Sequence, residues 1–199
     1  KWSMQGDSLT LDPHAQNEGP TTQVSRQVYE ALVQRGLDMK IGPALAKSWK
    51  ATDPNTWIFT LREDVKFSDG SAMTSNDVVF SVLRAKQRTS DFKEYISTVA
   101  NVEAVGDYAV KIITSKPNPI LLNQLSNIFI MSKAWSEENF AMSPQNWDAG
   151  QETYSATNAL GTGPFKITLR EPNTKTVFKR NKHWWGEMTD KKVTQIELL

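Results

Sequence analysis

Few residues of this chain could carry chemistry. Asp12, His14 and Glu18 lie close together, and carboxylates around an imidazole are the groups that bind a divalent metal or move a proton. Their spacing, DPH-x3-E, matches no recognised ligand pattern, and a histidine that follows proline in a turn usually bonds backbone. Gly161-Thr162-Gly163 is a second candidate, because two glycines astride a threonine suggest a turn tight enough to cradle phosphate. Neither Gly-Lys-Ser/Thr nor a helix follows it, which argues against a nucleotide loop. The only histidines are His14 and His183, and cysteine is absent. Disulfides, thiolate metal sites and cysteine nucleophiles are therefore excluded, and an enzyme would lack a convergent nucleophile and base. No catalytic residue, metal ligand or cofactor is expected.

The elements that position these residues are clearest between Trp57 and Gly70. Trp57, Phe59 and Leu61 alternate with Ile58, Thr60 and Arg62, the period of a strand with one face in a core. Val65 and Phe67 resume the alternation before Asp69-Gly70, a strong turn pair. Thr74 can then cap a helix carrying Val78, Val79, Phe80, Val82 and Leu83, with Asp77 near the positive end of its dipole. Arg84 to Arg88 reads as that helix's solvated basic end.

Upstream, Trp2 to Leu11 reads as a strand broken at Gly6-Asp7, and Pro13 forces a turn or extension. Thr21 or Thr22 is expected to cap a helix with Val24, Val28 and Leu32 on one stripe, ended by Gly36. Downstream, Val99 to Ile113 reads as a hairpin over Gly106-Asp107. Ile120 to Leu125 reads as a short helix, Ile128 to Met131 as a buried strand, and Ser136-Glu137-Glu138 as the start of another helix. Met142 to Leu160 is polar and loop-like. Phe165 to Leu169 and Val177-Phe178 form a hairpin over Glu171 to Thr174, and Val193 to Leu199 a terminal strand.

A chain of 199 residues suits one large or two small domains. Its 23 basic and 22 acidic residues give no overall field for nucleic acid, so no nucleic-acid partner is expected. No apolar run is long enough to span a membrane, and the start resembles no signal peptide, as expected of a processed product. Most of the seven tryptophans are expected to fill core, and Trp184 and Trp185 to pack rather than to hold ligand.

Four motif groups resemble, in order, the family 5 extracellular solute-binding proteins, the dipeptide, oligopeptide and nickel receptors of ABC importers. They are LDPH with the helix Val24 to Leu32, PALAKSW with LREDVKFSDG, the hairpin after it, and GTGPF with RNKHWW. His183-Trp184-Trp185 departs mildly from the family's pattern, with Trp where Tyr is usual. The match covers the whole chain but only the first part of the family, whose members are more than twice as long.

The resemblance implies an α/β fold of α+β mixed type, the N-terminal lobe of a two-lobed periplasmic-binding-protein type II fold. Residues 1–42 and 161–199 would form an incomplete sheet subdomain, and 43–160 an inserted α/β subdomain. It implies capture of short peptides between two lobes and delivery to membrane permease subunits of an ABC importer, in the periplasm or lipid-anchored outside the cell membrane. Nickel chelate, glutathione, oligosaccharide or opine are alternative cargoes, and a regulatory ligand-sensing module on the same fold is an alternative role. The ligand-binding residues it implies are Asn17, Glu18 and Gly19 at the cleft mouth, with Phe92 and Asn127 on the cleft side of the insertion. The second lobe would carry the selecting residues, so residues 1–199 alone are expected to bind feebly and to self-associate through an exposed sheet edge.

Overall fold

The computed structural model describes residues 6–187 and 193–198. The expectations for Trp2, Met4 and Leu199 lie outside them. The elements are α1 (Gly19–Val28), β1 (Val33–Arg35), β2 (Ile41–Pro43), β3 (Ala46–Asp53), β4 (Thr56–Leu61), α2 (Ser75–Ala85), β5 (Val99–Ala104), β6 (Ala109–Thr114), α3 (Leu121–Leu125), α4 (Lys133–Glu138), α5 (Tyr154–Thr157), β7 (Phe165–Glu171), β8 (Lys175–Arg180) and β9 (Gln195–Leu198). A short 3-10 turn, Lys93–Ile96, precedes β5.

Among the described residues three antiparallel sheets result. β1 pairs with β2, four strands run in the order β3-β4-β6-β5, and three in the order β7-β8-β9. The alternation from Trp57 holds: Phe59 and Leu61 are buried with Val110 and Ile112 of β6, and Val78, Val82 and Ala85 of α2 pack in the same cluster. A second cluster joins Leu11, Val24, Val28, Phe129, Phe165 and Phe178, so α1 and β7–β8 share a core. The start of α2 is the box expected of Thr74 and Asp77, for the Asp77 carboxylate accepts the Thr74 N–H at 2.8 Å. Its other oxygen accepts the Lys133 N–H at 2.9 Å, which ties α4 to α2.

Several local expectations need correction, and the reasons are long-range. α1 starts at Gly19 with Glu18 as its cap rather than at Thr21, because the Glu18 Oε1 accepts the Thr21 N–H at 2.7 Å. It ends at Val28 and does not run on toward Gly36. Beyond Val28 the carbonyls are claimed from elsewhere: Gly163 N–H donates to Val28, Ile130 N–H to Glu30, Leu45 N–H to Ala31 and Ala46 N–H to Leu32. A chain whose carbonyls serve distant amides cannot continue a helix.

Arg84 is not a solvated helix end. It is fully buried. Ile128 to Met131 is buried as expected, but among the described residues it forms one isolated bridge, Ala31 with Phe129, and joins no sheet. Ser136 lies inside α4, which begins after a Ser132 cap, and the terminal strand begins at Gln195 rather than Val193.

The glycines of Gly161-Thr162-Gly163 serve contact, not phosphate. A Cβ on Gly161 would stand 2.1 Å from the Val28 carbonyl oxygen, and one on Gly163 2.7 Å from the Val28 carbonyl carbon. The turn therefore seats against the end of α1, where the Gly163 N–H reaches the Val28 oxygen at 2.8 Å.

Candidate functional site

The segment from Leu11 to Gly19 leaves the core at Ala15 and reaches the surface at Asn17 and Gly19. What fixes it lies underneath. The Asp12 side chain is fully buried and accepts both Arg84 Nη1 at 2.8 Å and Arg84 Nη2 at 2.6 Å, a two-pronged charge-assisted pair. Asp12 also accepts the His14 N–H at 3.0 Å, the Gln145 N–H at 3.0 Å and the Ser155 hydroxyl at 2.9 Å. Arg84 also donates from Nε to the Ala141 carbonyl and from Nη2 to the Ser143 carbonyl, each at 2.9 Å. The polar loop from Met142 to Leu160 is thus one wall of this network.

His14 closes it. Its Nε2 lies 2.9 Å from the Phe129 carbonyl, which can only accept, so Nε2 carries the proton. Nδ1, 3.2 Å from Arg84 Nη1, is then the acceptor. This neutral tautomer agrees with the electrostatics. Burial, and then the Arg84 charge, hold the imidazole down to about 3, against only partial compensation from Asp12. For Asp12, burial alone would raise the carboxyl, but the charge and hydrogen bonds of Arg84 outweigh it and lower the value to about 2. An ionised, five-fold bonded carboxylate and a neutral, doubly bonded imidazole leave no free lone pair for a metal or a mobile proton. Among the described residues no group of histidines and acids could hold a metal ion.

Above this floor, Asp91 accepts the Asn17 N–H at 3.4 Å and donates its own amide to the His14 carbonyl at 3.1 Å. The Asn17 amide reaches the Tyr95 hydroxyl at 3.3 Å. The Phe92 ring packs edge-on to His14 at 6.3 Å and tilted against Tyr95 at 5.8 Å. Of the residues implied by the resemblance, Asn17 meets Tyr95, while Glu18 turns its carboxylate to the Thr21 N–H and Gly19 opens α1 beside them. Phe92 lies just beneath them, only 3% exposed. Asn127 is half-buried and turns its amide back to the Asn123 carbonyl, and no hydrogen bond among the described residues joins it to the loop. Gly19 is informative. Its φ is not positive and a Cβ there would meet nothing within 4 Å, so neither conformation nor packing asks for glycine. What its absent side chain leaves is open backbone at an exposed rim.

A second brace holds the same helix from its other end. Glu30 accepts Thr162 Oγ1 at 2.8 Å, Trp185 Nε1 at 3.0 Å and Trp184 Nε1 at 3.2 Å, and the Arg62 guanidinium lies 3.9 Å above the Trp185 ring. Burial raises the Glu30 carboxyl, and the donors from Trp184, Thr162 and Trp185 pull it partly back. The tandem tryptophans pack, as expected from sequence, but also serve as donors. Asp91, Tyr95 and Glu30 carry no local signal in the sequence, since each is defined by a partner far along the chain, and Arg84 reads locally as a solvated helix end for the same reason.

Comparison with known proteins bears on the chain as a whole. A family model described as bacterial extracellular solute-binding proteins, family 5 Middle, matches residues 40–199. The periplasmic murein peptide-binding protein MppA of Escherichia coli is 28% identical over 90% of this chain and 35% of its own length. The solved structure of that murein tripeptide-binding protein superposes with a TM-score of 0.81 at 26% identity, covering 99% of this chain and 40% of the other. The nickel-binding periplasmic protein of Escherichia coli is 32% identical over 89% of this chain and 33% of its own length. The PBP AgaA of A. tumefaciens R10, solved with agropinic acid, shares the fold with a TM-score of 0.86 at 24% identity, covering 98% of this chain and 38% of the other. The chain thus spans about a third of the length of the curated relatives it matches.

Proposed function

Because this chain belongs to the bacterial extracellular solute-binding proteins of family 5, we propose that it is part of a periplasmic receptor that captures short peptides for an ABC importer. The observation that carries this reading is the Asn17 to Gly19 rim, exposed above but fixed below by the Asp12, Arg84 and His14 network and at its side by Asp91 and Tyr95. An extended peptide is held chiefly through its backbone, which calls for a preformed stretch of receptor backbone with few side chains in the way. Asn17, Glu18 and Gly19 are the ligand-facing residues of this part of the cleft. Tyr95 joins them, and Phe92 supports Tyr95 from beneath. No chemistry is required of these groups, only contacts that a closed pair of lobes completes and an open pair cannot.

We also infer the division into a sheet subdomain, 1–42 with 161–199, and an inserted subdomain, 43–160. It is supported by the four-stranded sheet lying wholly within 46–114 and the three-stranded sheet within 165–198. The outer edge of β9 would receive strands from the rest of the protein, and in an isolated fragment would pair with a second copy.

A second reading, a receptor for a non-peptide solute, is favoured by the relative named as a nickel-binding periplasmic protein. Calorimetry on the full-length protein, stripped of bound solute, separates the two. Tight binding of a defined tetrapeptide, weakened about tenfold by Asn17→Ala, supports the first. Tight binding of a nickel–histidine chelate or an opine with no peptide response replaces it by the second.

A further inference from the structure

We propose that the protein has a second small-molecule site, apart from the cleft, that takes the ammonium end of a short alkylamine. It lies in a cavity of about 410 Å³ between the segment around Ser8, the loop 145–157 and the β7–β8 hairpin. None of Asn17, Glu18, Gly19 or Tyr95 lines it.

Two side chains of its wall are left incomplete. Ser8 is 3% exposed and Gln145 7% exposed, and both line the cavity. Ser8 Oγ and Gln145 Oε1 are nonetheless buried with no hydrogen-bond partner among the described residues. Buried oxygens in this condition are rare, because an unmade hydrogen bond leaves the whole cost of desolvation standing. The Gln145 amide nitrogen already donates to the Gln151 carbonyl at 2.8 Å, so what Gln145 still needs is a donor.

The charges point the same way. Arg170 is neutralised by Asp7, whose oxygens lie 2.7 and 2.8 Å from its Nη1, and it also donates to the Ser8 carbonyl at 2.6 Å. Glu152 stands exposed on the wall with no ion pair among the described residues, and the partly exposed ring of Trp147 lines the same cavity. An ammonium group has three donors and no acceptor, which matches one carboxylate and two wanting oxygens, and an indole face favours a cation. Leu9, Ala156 and Pro172 supply apolar wall for the methylenes of such a ligand. A neutral sugar would bring no charge to Glu152.

The test is calorimetric titration of the full-length protein with putrescine, and separately with N-acetylglucosamine as a neutral probe, in wild type, Glu152→Gln and Ser8→Ala. The expected result is saturable putrescine binding that each substitution weakens about tenfold, with no sugar response. Ser8→Ala should keep or raise the melting temperature, since it deletes an oxygen that lacks a partner; a purely structural hydroxyl would give the opposite. Absence of saturable putrescine binding would overturn the proposal and leave ordered water as the partner of both oxygens. Putrescine binding indifferent to both substitutions, or a sugar response alone, would overturn it equally.

Discussion

Arg84 and Asp12, 72 positions apart in the chain, form a fully buried pair in which both guanidinium Nη groups meet both carboxylate oxygens, at 2.8 and 2.6 Å. The pair joins α2 to the turn that enters the candidate ligand loop. Removing one partner strands the other charge in the core.

Arg84→Met should therefore cost about 3–5 kcal/mol, and Asp12→Asn a similar amount, while the double substitution should recover a clear part of the loss. Urea denaturation of the four proteins measures this. Single substitutions costing less than about 1 kcal/mol would mean that the pair is not what holds the loop.

The same network makes a pH dependence of definite sign. His14 is held neutral to about pH 3 when folded but titrates near 6.5 when unfolded. Its folded value is the lower one, so its contribution is complete above pH 6.5 and declines as the pH falls toward 3. The decline can reach about 1.4 kcal/mol per pH unit. Asp12, at about 2 against 3.8, adds a second loss confined to still lower pH. His14→Gln should flatten the urea midpoint between about pH 6.5 and 4, and a wild-type profile already flat there would contradict the buried neutral imidazole.

Two glycines should behave oppositely. Gly161→Ala drives a Cβ against the Val28 carbonyl from a separation of 2.1 Å, backbone against backbone, and should cost about 3 kcal/mol. Gly19→Ala places its Cβ in open space and should stay within about 0.5 kcal/mol of wild type while weakening ligand binding at the rim. Thermal melts paired with ligand titration distinguish the two effects.

Phe140 should be improvable. It sits just past α4 with φ 54°, its N–H on the Glu137 carbonyl and the next amide, of Ala141, on that of Ser136. That is the helix-ending motif in which glycine is usual, yet the phenyl ring is 93% exposed and little packing would be lost. Phe140→Gly should stabilise by about 1 kcal/mol, and a lowered melting temperature would show that the ring has a contact of its own.

What the sequence revealed was local. The alternation of Trp57 to Leu61, the Asp69-Gly70 turn and the Thr74/Asp77 box each fix geometry among near neighbours, and each was legible. Arg84 was misread because its position at the end of a helix is locally consistent with solvent, and nothing nearby announces the Asp12 carboxylate that draws it inward. The end of α1 at Val28 was hidden for a like reason, since Gly163, Ile130, Leu45 and Ala46 supply the amides that stop it. The motif order carries the family, while the contact of Asn17 with Tyr95, 78 positions away, has no local signal.

The most direct measurement is mass spectrometry of the small molecules released when the full-length protein, purified gently, is denatured. Release of a spread of short-peptide masses is the expected result. A single non-peptide mass, or a protein that carries nothing and binds no peptide when challenged, would contradict capture of short peptides at the Asn17 to Gly19 rim.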